Sequence, residues 1–409
     1  MKTPRARLSL DPLTRGWAVV TSAGVVRLGL GLVASLAIAR ALGPADFGVY
    51  AVLAASVGIV GGLAEGGLTE AAILRISPRW PGQPASAEHT ARAFFWLRLG
   101  LSTLVVAIGC ALAAVIADHL LSGVDAGLLR WALLGVVATA ASGALSAILQ
   151  ATGAFGRMSS LTLINTGLTA LLAVGLAWAG RLDLLAALVV LGIGTSLVTL
   201  AAARAMLPPR WRLTLPSTTA LAAEAGHLFG TGRWLWLASL FAMLTANAEV
   251  LLLNRWAALP LVGAYALALN LASKADVVNH SLYTVLLPGV ARLDTAATLR
   301  GYMRRGLIRS GAIAVGLVLL IPLAEPFIIL VYGAEFAQAV VFFRLLIAVV
   351  IFDVMLTPVL LLPLAFRQPR LLAAADAVRA LTLVGVGLGL IPAYGAFGAI
   401  IARFVARVA

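Results

Sequence analysis

Ionisable and polar side chains sit inside stretches that are otherwise apolar, and their types and spacing limit the chemistry open to them. Arg27 stands in the middle of one such stretch, with Gly24, Gly31 and Ser35 within about 80° of it on a helical wheel. Lys274 belongs to the most polar stretch of the chain. There Asn270, Ser273, Lys274 and Ser281 share one side of the wheel, and Asp276, Asn279, His280 and Tyr283 share the adjacent one. A cation in such a place either holds an anionic group or pairs internally. For Arg27 the second case means a Gly/Ser packing face with a carboxylate partner; for Lys274 it means an ion pair with Asp353. His280, one turn after Asp276, is either a proton relay or a satisfied polar contact. Glu65, Glu70 and Glu249, together with Asp353, could carry a proton or Na⁺; the three glutamates could equally pair with Arg75, Arg98 or Arg255. Arg344 and Asp353 are nine residues apart, about 13 Å along a helix, and do not pair directly. The four histidines show no ligand spacing, and Cys110 is the only cysteine. Internal disulfides and cysteine-based metal sites are therefore excluded. No phosphate-binding glycine loop, nucleophile elbow or zinc motif is present, so neither a cofactor nor a metal is expected.

The elements that position these residues are apolar helices. Hydrophobic residues make up 62% of the 409 and charged residues 11%, with a mean hydropathy of +1.03, beyond the range of water-soluble domains. A crossing of the hydrocarbon core takes about 20 residues. Such stretches lie at 17–39, 47–74, 94–117, 128–152, 158–179, 184–206, 228–253, 261–289, 307–331, 337–364, 371–391 and, incompletely, 395–409. Gly43-Pro44, Pro81-Gly82-Gln83-Pro84 and Pro208-Pro209 punctuate the joints. The period-two alternation of a membrane barrel is absent. The expected fold class is an all-α polytopic membrane protein with about 12 transmembrane helices.

Basic residues fall in every second gap. Lys2, Arg5, Arg7 and Arg15 begin the series; Arg75, Arg79 and Arg92, then Arg157, then Arg204, Arg210 and Arg212 continue it. Arg292, Arg300, Arg304, Arg305 and Arg309 follow, and Arg367 and Arg370 end it. The positive-inside rule then places the N-terminus in the cytoplasm. The net charge of +14 belongs to this asymmetry and to anionic membrane lipids, which leaves no case for a nucleic-acid partner. Arg27 interrupts the first stretch and a second follows at once, so the first reads as an uncleaved span. Trp80, Trp96, Trp211, Trp234 and Trp256 lie near span ends, as an aromatic belt does.

A shift of 215 residues superposes Arg40 on Arg255, Gly48 on Gly263, Tyr50 on Tyr265 and Ala51 on Ala266. Both segments lie at the hairpin between the first and second helices of a group of six. Six spans is an even number, so the repeats are parallel. The expected organisation is a six-helix lobe over 1–206, a basic cytoplasmic linker over 207–223 and a second lobe over 224–409, around a central cavity.

The segment Ala39–Tyr50 resembles the first hairpin of the polysaccharide-biosynthesis flippases, within the superfamily of multidrug, oligosaccharidyl-lipid and polysaccharide exporters. Gly263-Ala264-Tyr265, and Ala324-Glu325-Pro326-Phe327 through Tyr332-Gly333 with Phe336, are similar to two further family features. The resemblance covers nearly the whole chain in order. It implies a V-shaped pair of lobes that open alternately to each side. Its implied cargo is a polyprenyl-diphosphate-linked sugar moved from the cytoplasmic to the outer leaflet of a bacterial inner membrane. Association with polysaccharide polymerisation machinery follows from the same resemblance. Such a cargo needs cations in a wet, roomy wall, which makes Arg27, Asn270, Lys274, Asp276, Asn279 and His280 the candidate substrate-binding residues. Glu65, Glu70, Glu249 and Asp353 are the candidates for ion coupling. The chain departs from the family in its last stretch, some 15 residues long, or about 22 Å, from which Arg403 and Arg407 are expected to snorkel to the cytoplasmic surface. A natural end and a shortened product are both compatible with that length.

Two rival classes remain. A proton- or Na⁺-coupled small-molecule exporter of the same fold would favour a carboxylate-dominated cavity, whereas the mid-span charges lean cationic. A membrane-embedded enzyme would need acid–base groups on a sizeable loop; the outer loops run to about 5–12 residues and hold no carboxylate pair.

Overall fold

The computed structural model describes residues 12–80, 82–207, 211, 213–290, 296–362 and 369–408. Side chains are described except those of 12–21, 231, 276–281, 283–285, 287–290, 296–297 and 369–373. Every regular element among the described residues is helical. Among the described residues nine helices are long and apolar enough to cross a membrane, and Leu259–Ala275 adds a shorter apolar segment. The chain is a multi-pass membrane protein.

The first two expected spans form one kinked element, α1 (Pro12–Glu65). Its bend is at Gly43, φ 68° and ψ 174°, a backbone region reserved almost wholly for glycine. Pro44 then opens the second limb as a first-turn residue, where its missing N–H is harmless. That limb stops at Gly66 and Gly67, both with positive φ, and α2 (Leu68–Ile76) resumes from there. The expected second span, 47–74, is therefore broken in its last third. Two adjacent glycines accept a left-handed conformation that other residues resist.

Next come α3 (Pro84–Ala111), α4 (Ala113–Leu120), α5 (Ala126–Ala151) and α6 (Phe155–Trp178). Asp125 caps α5 by accepting from the Leu128 amide at 3.0 Å. The sixth crossing is composite: α7 (Leu184–Ala186), a π-helical stretch (Ala187–Gly194) and α8 (Thr195–Met206). The second half of the chain holds α9 (Thr218–Trp256), α10 (Leu259–Val290), α11 (Ala296–Val318), α12 (Leu320–Tyr332) and α13 (Ala337–Leu360). It ends with α14 (Pro369–Tyr394) and α15 (Ala396–Val408). Helix α9 starts ten residues before the expected 228, and α11 starts eleven before the expected 307, so Arg300, Arg304, Arg305 and Arg309 are helical. Arginine is a good helix former, and apolar length alone does not mark where such a helix begins.

The second limb of α1 is the central element. Helix α1 packs on α3, α5, α9 and α10, while α10 packs against α13 and α14 against α9 and α15. Helix α1 also packs on α6. Trp211, Leu213 and Thr214 are held by Trp80 and by α3. Trp211 is fully buried and meets Trp80 edge to face at 5.5 Å. Arg92 donates to Thr214 Oγ1 at 3.0 Å, and Trp96 Nε1 to the Leu213 carbonyl at 3.2 Å. Trp80, Trp96 and Trp211 thus anchor this connection instead of joining an aromatic belt. Trp234 and Trp256 remain exposed.

Candidate functional site

The two halves meet along the second limb of α1 through small residues. A Cβ added to Gly48 would overlap the Leu259 carbonyl, and one added to Gly263 would overlap the Pro44 carbonyl. At the other end of the limb Gly67 and Gly232 stand in the same reciprocal relation. Between them, a Cβ on Gly58 would come within 2.8 Å of the Asn247 amide and one on Gly62 within 2.8 Å of Met243. Trp236 Nε1 adds a hydrogen bond to the Gly62 carbonyl at 3.2 Å. Close backbone approach of this kind, made possible by small residues, is how helices associate where no water drives them together.

The hairpin end is also closed by polar contacts. Asn254, fully buried, accepts from the Ser122 amide and donates to its carbonyl, both at 2.9 Å. Arg40 donates to the Leu330 carbonyl at 3.2 Å, and Phe47 meets Phe336 edge to face at 5.9 Å.

The first limb of α1 borders an open face. Extra methyl groups at Gly24, Gly29 or Gly31 would touch nothing within 4 Å. Arg27 is exposed there, and its charge acts on the half-buried Lys274 of α10. Among the described residues neither cation forms an ion pair. The packed glycine stripe that would account for Arg27 structurally is not found at Gly24 or Gly31. The pairing of Lys274 with Asp353 is replaced as well, because Asp353 pairs with Arg407 at 3.2 Å. The side chains of Asp276, Asn279 and His280 lie outside the described residues.

Beside Lys274 on α10, Asn270 and Ser273 line a cavity of about 580 Å³. Phe47, Tyr50 and Ala54 of α1, Thr245 and Asn247 of α9, Asp376 and Arg379 of α14, and Arg403 and Arg407 of α15 complete its wall. Arg403 does not snorkel to a surface. Its Nε donates to both oxygens of Glu249, at 2.8 and 3.0 Å, and Glu249 is 1% exposed. The Tyr265 hydroxyl donates to the same carboxylate. Arg407 likewise turns inward, to Asp353. The reason is electrostatic: each buried carboxylate needs a counter-charge, and α15 offers two arginines one turn apart. The partners expected for the glutamates were Arg75, Arg98 or Arg255; for Glu249 the partner is none of these but Arg403. The arginines of α15 were missed as site residues, although their four-residue spacing on a short helix was the available signal.

Elsewhere Glu65 pairs with Arg98 at 3.0 Å, one of the pairings expected. Glu70 Oε2 is buried with no hydrogen-bond partner among the described residues. Arg344 pairs with Glu325 at 3.0 Å, not with Asp353. Arg75 is committed to Glu224 at 2.9 Å, an ion pair joining α2 to α9. No group of side chains able to hold a metal ion occurs among the described residues.

No curated protein sequence matches the chain. Among solved structures, the chain resembles an inward-facing multidrug resistance MATE family transporter of the MOP superfamily, with TM-score 0.72 at 16% identity, covering 93% of this chain and 92% of the other. It also resembles the lipid II flippase MurJ in an inward closed conformation, with TM-score 0.70 at 13% identity over 96% and 85% of the two chains. An outward-facing multidrug resistance MATE family transporter superposes less well, with TM-score 0.56 at 16% identity over 98% and 93%. These likenesses establish the fold. The family of polysaccharide biosynthesis proteins matches residues 37–341, three quarters of the chain, and the chain belongs to that family.

Proposed function

We propose that the protein moves a polyprenyl-diphosphate-linked oligosaccharide from the cytoplasmic to the outer leaflet of a bacterial inner membrane. The observation that carries this reading is Arg27 and Lys274, two cations from the two halves of the chain with no carboxylate partner among the described residues. A diphosphate brings two or more negative charges, and a fixed pair of cations on an open face is a fitting receptor. The domain division follows: a lobe over 1–206, a linker over 207–223 and a lobe over 224–409, rocking about the central limb of α1. The hairpin end then faces outward and is shut, while the face between the first limb of α1 and α10 admits cargo from the cytoplasmic side. Asp276, Asn279 and His280, which follow Lys274 in the sequence of α10, remain candidates for the same cargo. The polymerisation machinery is the natural recipient of the cargo, and anionic lipids are the protein's surroundings.

The ion-coupling residues narrow under the same reading. Glu65, Glu249 and Asp353 are each neutralised by an arginine. Glu70, with an unpartnered oxygen, is the remaining carboxylate of the four suited to carrying a proton. A small-molecule exporter of the same fold is the second reading, favoured by the MATE superposition.

The test is complementation. Arg27→Ala and Lys274→Ala, introduced into a deletion strain, should insert normally and fail to restore surface glycan. Restoration at the wild-type level by both variants would remove the cationic receptor. A deletion that changes drug susceptibility while surface glycan persists would favour the exporter.

A further inference from the structure

Every arginine of α2, α3, α13 and α15 pairs with a carboxylate. Helix α11 differs. From residue 296 to residue 324 the sequence carries Arg300, Arg304, Arg305 and Arg309 and no Asp or Glu. All four arginines are exposed, and none forms an ion pair among the described residues. Asp294, the nearest acid in the sequence, lies outside the described residues.

The rotation of α11 is fixed from its other side. A Cβ added to Gly306 would come within 2.9 Å of Pro358 on α13. The buried Tyr302 donates to the Pro358 carbonyl at 3.2 Å, and Ser310 is buried one turn beyond Gly306. With that stripe held inward, Arg300 and Arg304 follow one margin of the outer face and Arg305 and Arg309 the other. At 100° per residue the two pairs are centred about 140° apart. The exposed Ile308, Ala312 and Val315 form a strip between them. Arg305 leans back into this strip, its Nε donating at 3.1 Å to the carbonyl of Gly301, which also lies between the pairs.

The depth suits a lipid headgroup. Helices α11 and α12 form one crossing, Thr298–Tyr332, of 35 residues, roughly fifteen more than a hydrocarbon core needs. Glu325 is the one charged residue from 310 to 332, so the surplus falls at the arginine end. Arg309 precedes Tyr332 by 23 residues, about 34 Å of helix, which puts it at the edge of a core roughly 30 Å thick. The arginines thus stand in the headgroup layer, with Ala312 and Val315 among acyl chains.

We propose that this face of α11 holds an anionic glycerophospholipid of the adjoining leaflet. Its phosphate sits between the two arginine pairs, and an acyl chain follows Ile308, Ala312 and Val315. Guanidinium groups grip phosphate through paired, charge-assisted hydrogen bonds, and clustered basic residues beside a span draw anionic headgroups. A zwitterionic lipid brings its own cation, which the arginines repel. The site faces away from the α13 packing and does not depend on the cargo.

The test titrates the full-length protein, in neutral detergent, with phosphatidylglycerol or phosphatidylcholine and counts bound lipids by native mass spectrometry. Wild type should take its first phosphatidylglycerol about tenfold more tightly than phosphatidylcholine, one decade in Kd. Replacing all four arginines by glutamine should erase that preference. The variant should melt with wild type in lipid-free detergent, since exposed arginine and glutamine are alike in helix propensity. Ile308→Asp keeps the four arginines but supplies an anion between them, and it too should erase the preference. Arg157→Gln with Arg204→Gln removes two exposed arginines of other helices and should leave the preference intact. Millimolar glycerol 1-phosphate should not displace the lipid, because it lacks the acyl chain. Equal affinity for the two lipids in wild type, or a preference that survives the four glutamines, overturns the proposal and points to another partner, such as an acidic protein. An equal loss in the Arg157 and Arg204 variant would mean diffuse charge without a site. Displacement by glycerol 1-phosphate would mean a soluble phosphate ligand, and either result also overturns the proposal.

Discussion

Gly48 and Gly263 stand 215 residues apart in the sequence and face each other across the two halves of the chain. Each lies where a Cβ would strike the other helix's backbone carbonyl, at Leu259 and Pro44 respectively. The two positions that a shift of 215 residues superposes thus form one contact. Neither side can be enlarged without separating α1 from α10.

Gly48→Ala and Gly263→Ala should each prevent the hairpin end from closing and lower transport by about tenfold or more, equivalent to roughly 1.4 kcal/mol against the closed state. The check is a single cysteine at Ala54, inside the cavity, in a Cys110→Ala background. A membrane-impermeant maleimide added outside should label it faster in either glycine variant. Equal labelling rates would show that this contact is not the outer seal.

Arg403→Gln should strand Glu249, which is 1% exposed, and breaking such a buried pair costs about 3–5 kcal/mol. Replacing both partners by glutamine should recover most of that loss. Unfolding of the purified protein in detergent measures both. A double variant as unstable as Arg403→Gln alone would mean that the guanidinium supports the fold through something other than Glu249.

At Gly43, φ 68° and ψ 174° exclude ordinary side chains. Gly43→Ala should therefore destabilise by about 1–3 kcal/mol. Gly24→Ala, where an added methyl meets nothing within 4 Å, should be neutral or stabilising by up to about 1 kcal/mol through helix propensity. Melting curves of the two variants, compared with wild type, decide whether the kink or merely glycine content matters.

Reporters fused after Arg79, Arg210 or Arg304 should lie in the cytoplasm, and those after Ala45 or Pro260 outside, following the alternation of basic gaps. Two or more reversed positions would overturn the orientation.

Membrane class and helical fold were legible in the sequence because length and apolar content are local properties. The pairing of Glu65 with Arg98 was among the options, since both lie at the same depth in neighbouring spans. The pairing of Glu249 with Arg403 was not, because 154 residues separate them and a short terminal helix suggested a surface role for its arginines. Which helix faces which is set by packing, and no periodicity in α9 or α15 names its neighbour. The break at Gly66-Gly67 could have been read from the doubled glycine between Glu65 and Glu70; apolar residues on both sides of it made the stretch look like one span. Lys274 was legible as a cation on a polar face, whereas its proximity to Arg27 depends on how α1 lies against α10.

The anchorage of the chain between the halves sets a mechanical limit. Trp211 is held by Trp80, and Leu213 and Thr214 by Trp96 and Arg92. Helix α9 begins at Thr218. Only Leu215, Pro216 and Ser217 remain as slack, a leash of about 10 Å when drawn taut. A displacement of α9 at this corner that demands more reach must release Thr214 and Leu213 from Arg92 and Trp96 or unwind the first turn of α9.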